Sequence, residues 1–164
     1  MTEQEEEFVH FVSSIEKLNN AWRILLEIRS NRDDPLVGPA FQFALIEYSK
    51  PYTVSFGTEL DAKGSPKRKH LLNDKHIPKK HHVLHDRLLE ARKKIHAHDD
   101  LSVKEAKLYV KKTQQGKFVG TVQNVITGTE ELSNINLIIE LIEQTLKNMY
   151  AQEKLLEQQL PINS

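Results

Sequence analysis

Apolar residues keep the helical period through two long stretches near the two ends of the chain, and this restricts the fold more than any other feature. Phe8, Phe11, Val12, Ile15, Leu18, Trp22, Leu25 and Leu26 recur over several turns. Leu132, Ile135, Ile138, Ile139, Ile142, Leu146, Met149 and Leu156 do the same. The spacing predicts one helix over 3–30 and another from about 130 to 159. The early Glu run of the first complements its N-terminus, and the Ser30 to Pro35 stretch ends it. Trp22, Phe8 and Phe11 read as core. Leu137 and Leu141 widen the apolar side of the last helix beyond one face. Such a helix needs partners on more than one side, from a closely packed bundle or from a dimer interface.

Between these ends the pattern changes three times. Leu36 to Lys50 reads as a shorter helix with Phe41, Ala44, Leu45 and Tyr48 on one face. Gly38 and Pro39 weaken its start, so Pro39 can be its first turn, and Pro51 ends or kinks it. Gly57 to Lys80 is polar, with Gly57, Gly64, Pro66 and Pro78 scattered through it. It reads as a long mobile loop, of a length that is often functional. Further on, Leu108–Tyr109–Val110 and Phe118–Val119 with Val122, Val125 and Ile126 flank Gln114–Gln115–Gly116. That is a β-hairpin over about 106–126. A lone hairpin is marginal, so it is expected as an insertion on a helical body.

The stretch from His81 to Asp100, HHVLHDRLLEARKKIHAHDD, carries the strongest functional signal. Leu84, Leu88, Ala91 and Ile95 form one apolar helical stripe, with His98 at its edge. His85, Leu89, Arg92, His96 and Asp99 lie along a neighbouring face. Arg beside a buried stripe is unusual, because a guanidinium is rarely buried without a partner. Asp99 and Asp100 stand where the helix dipole disfavours negative charge, which suggests another use for them.

The fold expected from these segments is mainly α: a single domain over 1–164, a four-helix up-down bundle with a small inserted hairpin. No apolar run reaches membrane-spanning length, and the start MTEQEEEF is acidic and unlike a signal peptide, so a cytoplasmic location is expected. The absence of Cys excludes disulfides, thiolate metal sites and a Cys nucleophile. There is no phosphate-cradling Gly-rich motif and no sign of a cofactor. His81 and His85 have the i, i+4 spacing that can bind zinc, but without a third ligand a solvated His-rich helix start is the better reading. The net charge of zero hides a segregation: Lys63 to Lys117 holds 16 Lys and Arg against 6 Asp and Glu, and the rest holds 7 against 17. A basic middle within acidic flanks suits a local polyanion site or, equally, a solvated face neutralised by the outer helices.

The run Arg92–Lys93–Lys94–Ile95–His96–Ala97–His98–Asp99–Asp100 matches the pattern Arg-x-Lys-x-x-Ala-His-x-Asp. It resembles the HEPN superfamily, in particular the abortive-infection AbiU-type HEPN-like proteins of bacteria. Their signature is an Arg, four to six residues and a His, late in the third helix of a four-helix bundle. Arg92 and His98 fit with five between; Arg92 and His96, with three, do not. Leu101–Ser102–Val103 and Tyr48–Ser49–Lys50–Pro51 are also similar to this group.

The resemblance implies a metal-independent endoribonuclease of a defence or toxin type. It would work as a homodimer whose two motifs form one composite site. Arg92 and His98 would be catalytic, with Lys93, Lys94, His96, Asp100 and His85 in support. A His pair would exchange protons with the ribose 2′-hydroxyl and the leaving 5′-oxygen, and Arg92 would clamp the phosphate. Partners would be a second copy, RNA and a protein antitoxin, with no membrane. No Tyr follows His98 at short spacing, unlike toxins silenced by nucleotide transfer onto Tyr. The alternative is a non-catalytic HEPN-like dimer that binds nucleic acid, nucleotide or a protein partner. Taken by themselves, the residues also allow His98 to be a satisfied core-edge histidine and Arg92 to be ion-paired with a partner's Glu90 or with an outer helix.

Overall fold

Thr2 opens the first helix with a capping box. Its hydroxyl accepts from the Glu5 amide at 3.3 Å, and the Glu5 carboxylate accepts from the Thr2 amide at 2.7 Å. The helix, α1 (Glu3–Ser30), runs until Asn31 closes its end. In the computed structural model, residues 2–96, 104–113, 116–125 and 128–160 are described, except for the side chains at 96, 104–107 and 121–125.

Three further helices join α1: α2 (Val37–Ser49), α3 (His82–His96) and α4 (Ile135–Glu157). α1 packs against both α2 and α4, and α2 against α3. The predicted stripes meet in one core. α1 contributes Phe11, Ile15, Leu18 and Leu25; α3 contributes Leu84, Leu88, Ala91 and Ile95. The result is the helical bundle with an inserted hairpin that the periodicity predicts. On α4 the widened stripe divides. Leu141 is fully buried with Ile138 and Ile142, whereas Leu137 is 49% exposed. Trp22 is half-buried, and its indole N–H donates to Glu143 at 2.9 Å.

The polar stretch from Gly57 to Lys80 departs from the mobile-loop expectation, because it is tied down. Strands β1 (Ser55–Phe56) and β2 (Lys69–His70) pair antiparallel, and Leu60 bridges Pro66. Short 3-10 turns at Asp74–His76 and Lys79–His81 lead into α3. The anchor is Glu6 on α1. Its buried carboxylate accepts from the Thr58 amide at 2.7 Å, the Thr58 hydroxyl at 3.0 Å and Arg68 Nη1 at 2.9 Å. Gly57 lies against this carboxylate so closely that a Cβ would stand 2.8 Å from Oε1.

Glu6 makes the anchor pH-sensitive. The Thr58 amide first, and then the Arg68 guanidinium, pull its carboxyl from an ordinary 4.5 down to about 2. The unfolded chain therefore takes up this proton at higher pH than the folded one. The anchor's contribution is fully present above about 4.5 and is lost as pH falls toward about 2. Amide protection at Thr58 is expected to drop through that window, and Glu6→Gln should weaken it at neutral pH and flatten the dependence. Protection that stayed constant across the window would show that Glu6 does not hold the loop.

After α3 the chain leaves the bundle as a hairpin, β3 (Lys104–Thr113) and β4 (Gly116–Val125), paired from Lys104↔Val125 to Thr113↔Gly116. It returns at Gly128, with φ +74°, where a Cβ would lie 2.9 Å from Ile95 Cγ1 and 3.0 Å from the Ala91 carbonyl oxygen. A side chain here would be strained in φ and would collide with backbone. Gly128→Ala is expected to cost about 1–3 kcal/mol, read as a lower urea midpoint at unchanged m-value. An unaltered midpoint would mean that the return to α3 is not close-packed.

Candidate functional site

From Arg87 onward α3 carries a row of cations, most of which are paired. Arg87 makes two contacts to Glu131, Nε to Oε1 at 2.7 Å and Nη2 to Oε2 at 3.2 Å. This fixes the 3-10 segment Thr129–Asn134 against α3. Lys94 lies 3.7 Å from Glu130, and Lys93 pairs with Glu90 one turn back. Arg92 differs. Among the described residues it has no ion pair, and its Nε is buried with no hydrogen-bond partner. Glu90 pairs with Lys93 of the same chain.

Arg92 thus sits half-buried on the helix flank, beside Ala91 and Ile95 of the core stripe. No carboxylate among the described residues pairs with the guanidinium. A planar guanidinium fork in this setting suits bidentate contact with two oxygens of an anion such as a phosphate. Lys93 and Lys94, on the exposed side, add positive potential that their carboxylate partners partly cancel.

The other predicted site residues fall in three places. His96 is the last residue of α3, one turn beyond Arg92, and its side chain is not among those described. His98 and Asp100 lie outside the described residues, as does Asp99. His85 is two turns before Arg92, inside the bundle, and 4% exposed. Its Nδ1 is 2.7 Å from the Tyr48 hydroxyl, and the Tyr52 ring stands edge-on to it with centroids 4.6 Å apart. Burial lowers the His85 pKa against the smaller opposing pull of Asp86 and Asp74, so the ring is neutral near pH 7. Burial also raises the Tyr48 and Tyr52 hydroxyl pKa values, keeping both protonated.

His81 faces Glu140, with 3.7 Å between Nε2 and Oε1. His81 and His85 are buried, so the solvated His-rich helix start expected from the sequence does not hold for this pair; among the described residues, no group of three His, Cys, Asp or Glu could hold a metal ion.

One cluster was not visible in the sequence. His10 of α1 stacks on His70 of β2 with ring centroids 5.1 Å apart. With His76, Lys69 and Lys75 they line a cavity of about 190 Å³. Burial lowers the pKa of both His10 and His76, reinforced by the nearby His70 and Lys75 respectively. His10 is the one histidine outside the dense central set, and no spacing rule connects it to His70 sixty residues later. Comparison with protein-family models, curated proteins and solved structures finds no match for this chain.

Proposed function

We propose that this protein is a HEPN-like, metal-independent endoribonuclease of a bacterial defence or toxin type. It acts as a homodimer in which Arg92 and His98 of both protomers form one composite site. The observation that carries the reading is Arg92: a half-buried guanidinium with no ion pair among the described residues, in a helix whose neighbouring cations are paired. A structural Arg at such a position would be expected to hold a carboxylate. One without a carboxylate partner among the described residues is available to a phosphate.

In this reading the RNA phosphate docks on the Arg92 forks. One His98 removes the 2′-hydroxyl proton, and the freed oxygen attacks the adjacent phosphorus. The bond to the 5′-oxygen breaks, and the second His98 returns a proton to that leaving oxygen. The products are a 2′,3′-cyclic phosphate and a 5′-hydroxyl. Arg92 stabilises the charge that builds on the phosphoryl oxygens.

The test pairs an assay with a measurement of mass. Purified protein is expected to cut RNA but not matched DNA, because the 2′-hydroxyl is the nucleophile, and to keep cutting in EDTA. Sedimentation is expected to give a dimer at tens of micromolar, roughly the weak end of functional dimer affinities. Equal cutting of DNA, loss of activity in chelator or a monomer under these conditions would each overturn the composite-site mechanism. Dimers that bind RNA without cutting it would favour the non-catalytic alternative.

A further inference from the structure

Among the described residues, side chains on both faces of the β3–β4 hairpin are exposed. Every described side chain from Leu108 to Thr113 and from Lys117 to Val119 is exposed. The register sorts these side chains cleanly. Leu108, Val110, Lys112, Lys117 and Val119 share one face; Tyr109, Lys111 and Phe118 share the other. A two-stranded ribbon is marginal by itself, and this one displays Leu108, Tyr109, Val110, Phe118 and Val119 as exposed apolar side chains.

The aromatic face is built as a platform. Lys111 stands directly opposite Phe118, and Tyr109 opposite Gly120. Gly120 leaves room for the Phe118 ring, which comes within 3.1 Å of where a Cβ would be. Tyr109 and Phe118 are diagonal neighbours, about 7 Å apart, and are 54% and 61% exposed. At the tip, Lys112 is paired directly with Lys117. Like charges directly opposite destabilise a ribbon, and an anion between them would relieve that cost. The whole hairpin carries five Lys against one Glu, on a chain whose remainder is net acidic.

We propose that this hairpin is a binding arm for single-stranded nucleic acid, with bases stacking on Tyr109 and Phe118 and Lys111, Lys112 and Lys117 holding the phosphates. Two exposed rings with Lys111 on their own face, and Lys112 and Lys117 at the tip on the other, combine the two elements that sequence-tolerant single-strand binding uses, stacking and phosphate neutralisation. The alternative occupant, a second copy pairing along a strand edge, is disfavoured by the lysines that both strands carry. The proposal rests on the hairpin's own residues, whether or not the end of α3 cleaves RNA. The two are spatially connected, however, because β3 follows the Arg92 helix and β4 leads back to Ala91 and Ile95 through Gly128.

The experiment is fluorescence anisotropy of the full-length protein with a labelled oligo(dT) of about twenty nucleotides, longer than the roughly 4–16 that such sites cover. This probe lacks the 2′-hydroxyl and so cannot be consumed by the proposed cleavage. Phe118→Ala is expected to weaken binding at least about 10-fold without altering its salt dependence, and Phe118→Tyr, which keeps a stacking ring, should bind like the wild type. Replacing Lys111, Lys112 and Lys117 together by Ala should reduce the slope of log affinity against log salt by about 2. Absence of oligonucleotide binding by the wild type, or wild-type binding by both hairpin variants, would overturn the proposal. So would variants that turn dimer into monomer with affinity unchanged, which would identify the surface as a contact between copies.

Discussion

Arg92→Ala and His98→Ala are each expected to lower RNA cleavage by at least about 100-fold while leaving the thermal midpoint nearly unchanged. For Arg92 the separation of effects follows from what the side chain lacks. Its Nε has no hydrogen-bond partner among the described residues and it makes no ion pair there, so its removal strands no buried carboxylate. Arg92→Lys should recover little activity, because an ammonium keeps the charge but not the two-pronged fork. Lys93→Ala and Lys94→Ala should have smaller effects, since both side chains are exposed and already face carboxylates. His96→Ala discriminates between the two histidines. An unbroken helix puts His96 one turn from Arg92 on nearly the same face, whereas the spacing of the HEPN signature that the chain resembles selects His98. Full activity in His98→Ala with none in His96→Ala would transfer the catalytic role to His96 and discard the five-residue spacing.

His85→Ala should instead damage stability, by about 2–4 kcal/mol, with activity per folded molecule retained. The ring is buried between Tyr48 and Tyr52, and its loss opens a cavity and leaves the Tyr48 hydroxyl without its partner. Tyr48→Phe should cost less, about 1–3 kcal/mol, because only the hydrogen bond to Nδ1 is lost. There is also a pH signature. Burial lowers the His85 pKa below its ordinary 6.5, so the unfolded chain binds the proton first. The stability from the neutral ring is complete above that value and declines as pH falls through and below it. Urea midpoints taken from about pH 7.5 to about pH 5.5 should fall for the wild type and fall less for His85→Ala. Loss of activity in the stable, folded variant would keep His85 in its expected supporting role at the proposed site.

The two kinds of residue on α3 were unequally legible. The stripe of Leu84, Leu88, Ala91 and Ile95 needs only a rotation of 100° per residue to be recognised, and all four are buried. Arg92 could be flagged because it flanks that stripe. His85 on the flanking face looked the same in sequence, yet its neighbours differ completely. Its environment comes from Tyr48 and Tyr52, some 35 residues earlier, which bring a hydroxyl and a ring edge to it. Periodicity identifies the face of a helix, but not what another helix sets against it.

Local pattern therefore determined the elements themselves: the long amphipathic helices, the Pro-limited second helix and the Gly-containing hairpin. Each arises from forces acting within a few residues, namely backbone propensity, capping and the period of apolar side chains. Tertiary structure decided what depends on groups far apart in the chain. It turned the polar stretch after Gly57 from an expected mobile loop into an anchored one, because Glu6 on α1 finds Thr58 and Arg68 across the fold. It sent Leu141 into the core and Leu137 into solvent, although both widened the same stripe. It brought His10 to His70 and His76 around one cavity. The physical reason is common to all three: burial, charge pairing and ring contact depend on distance in space, and a sequence specifies spacing only along the backbone.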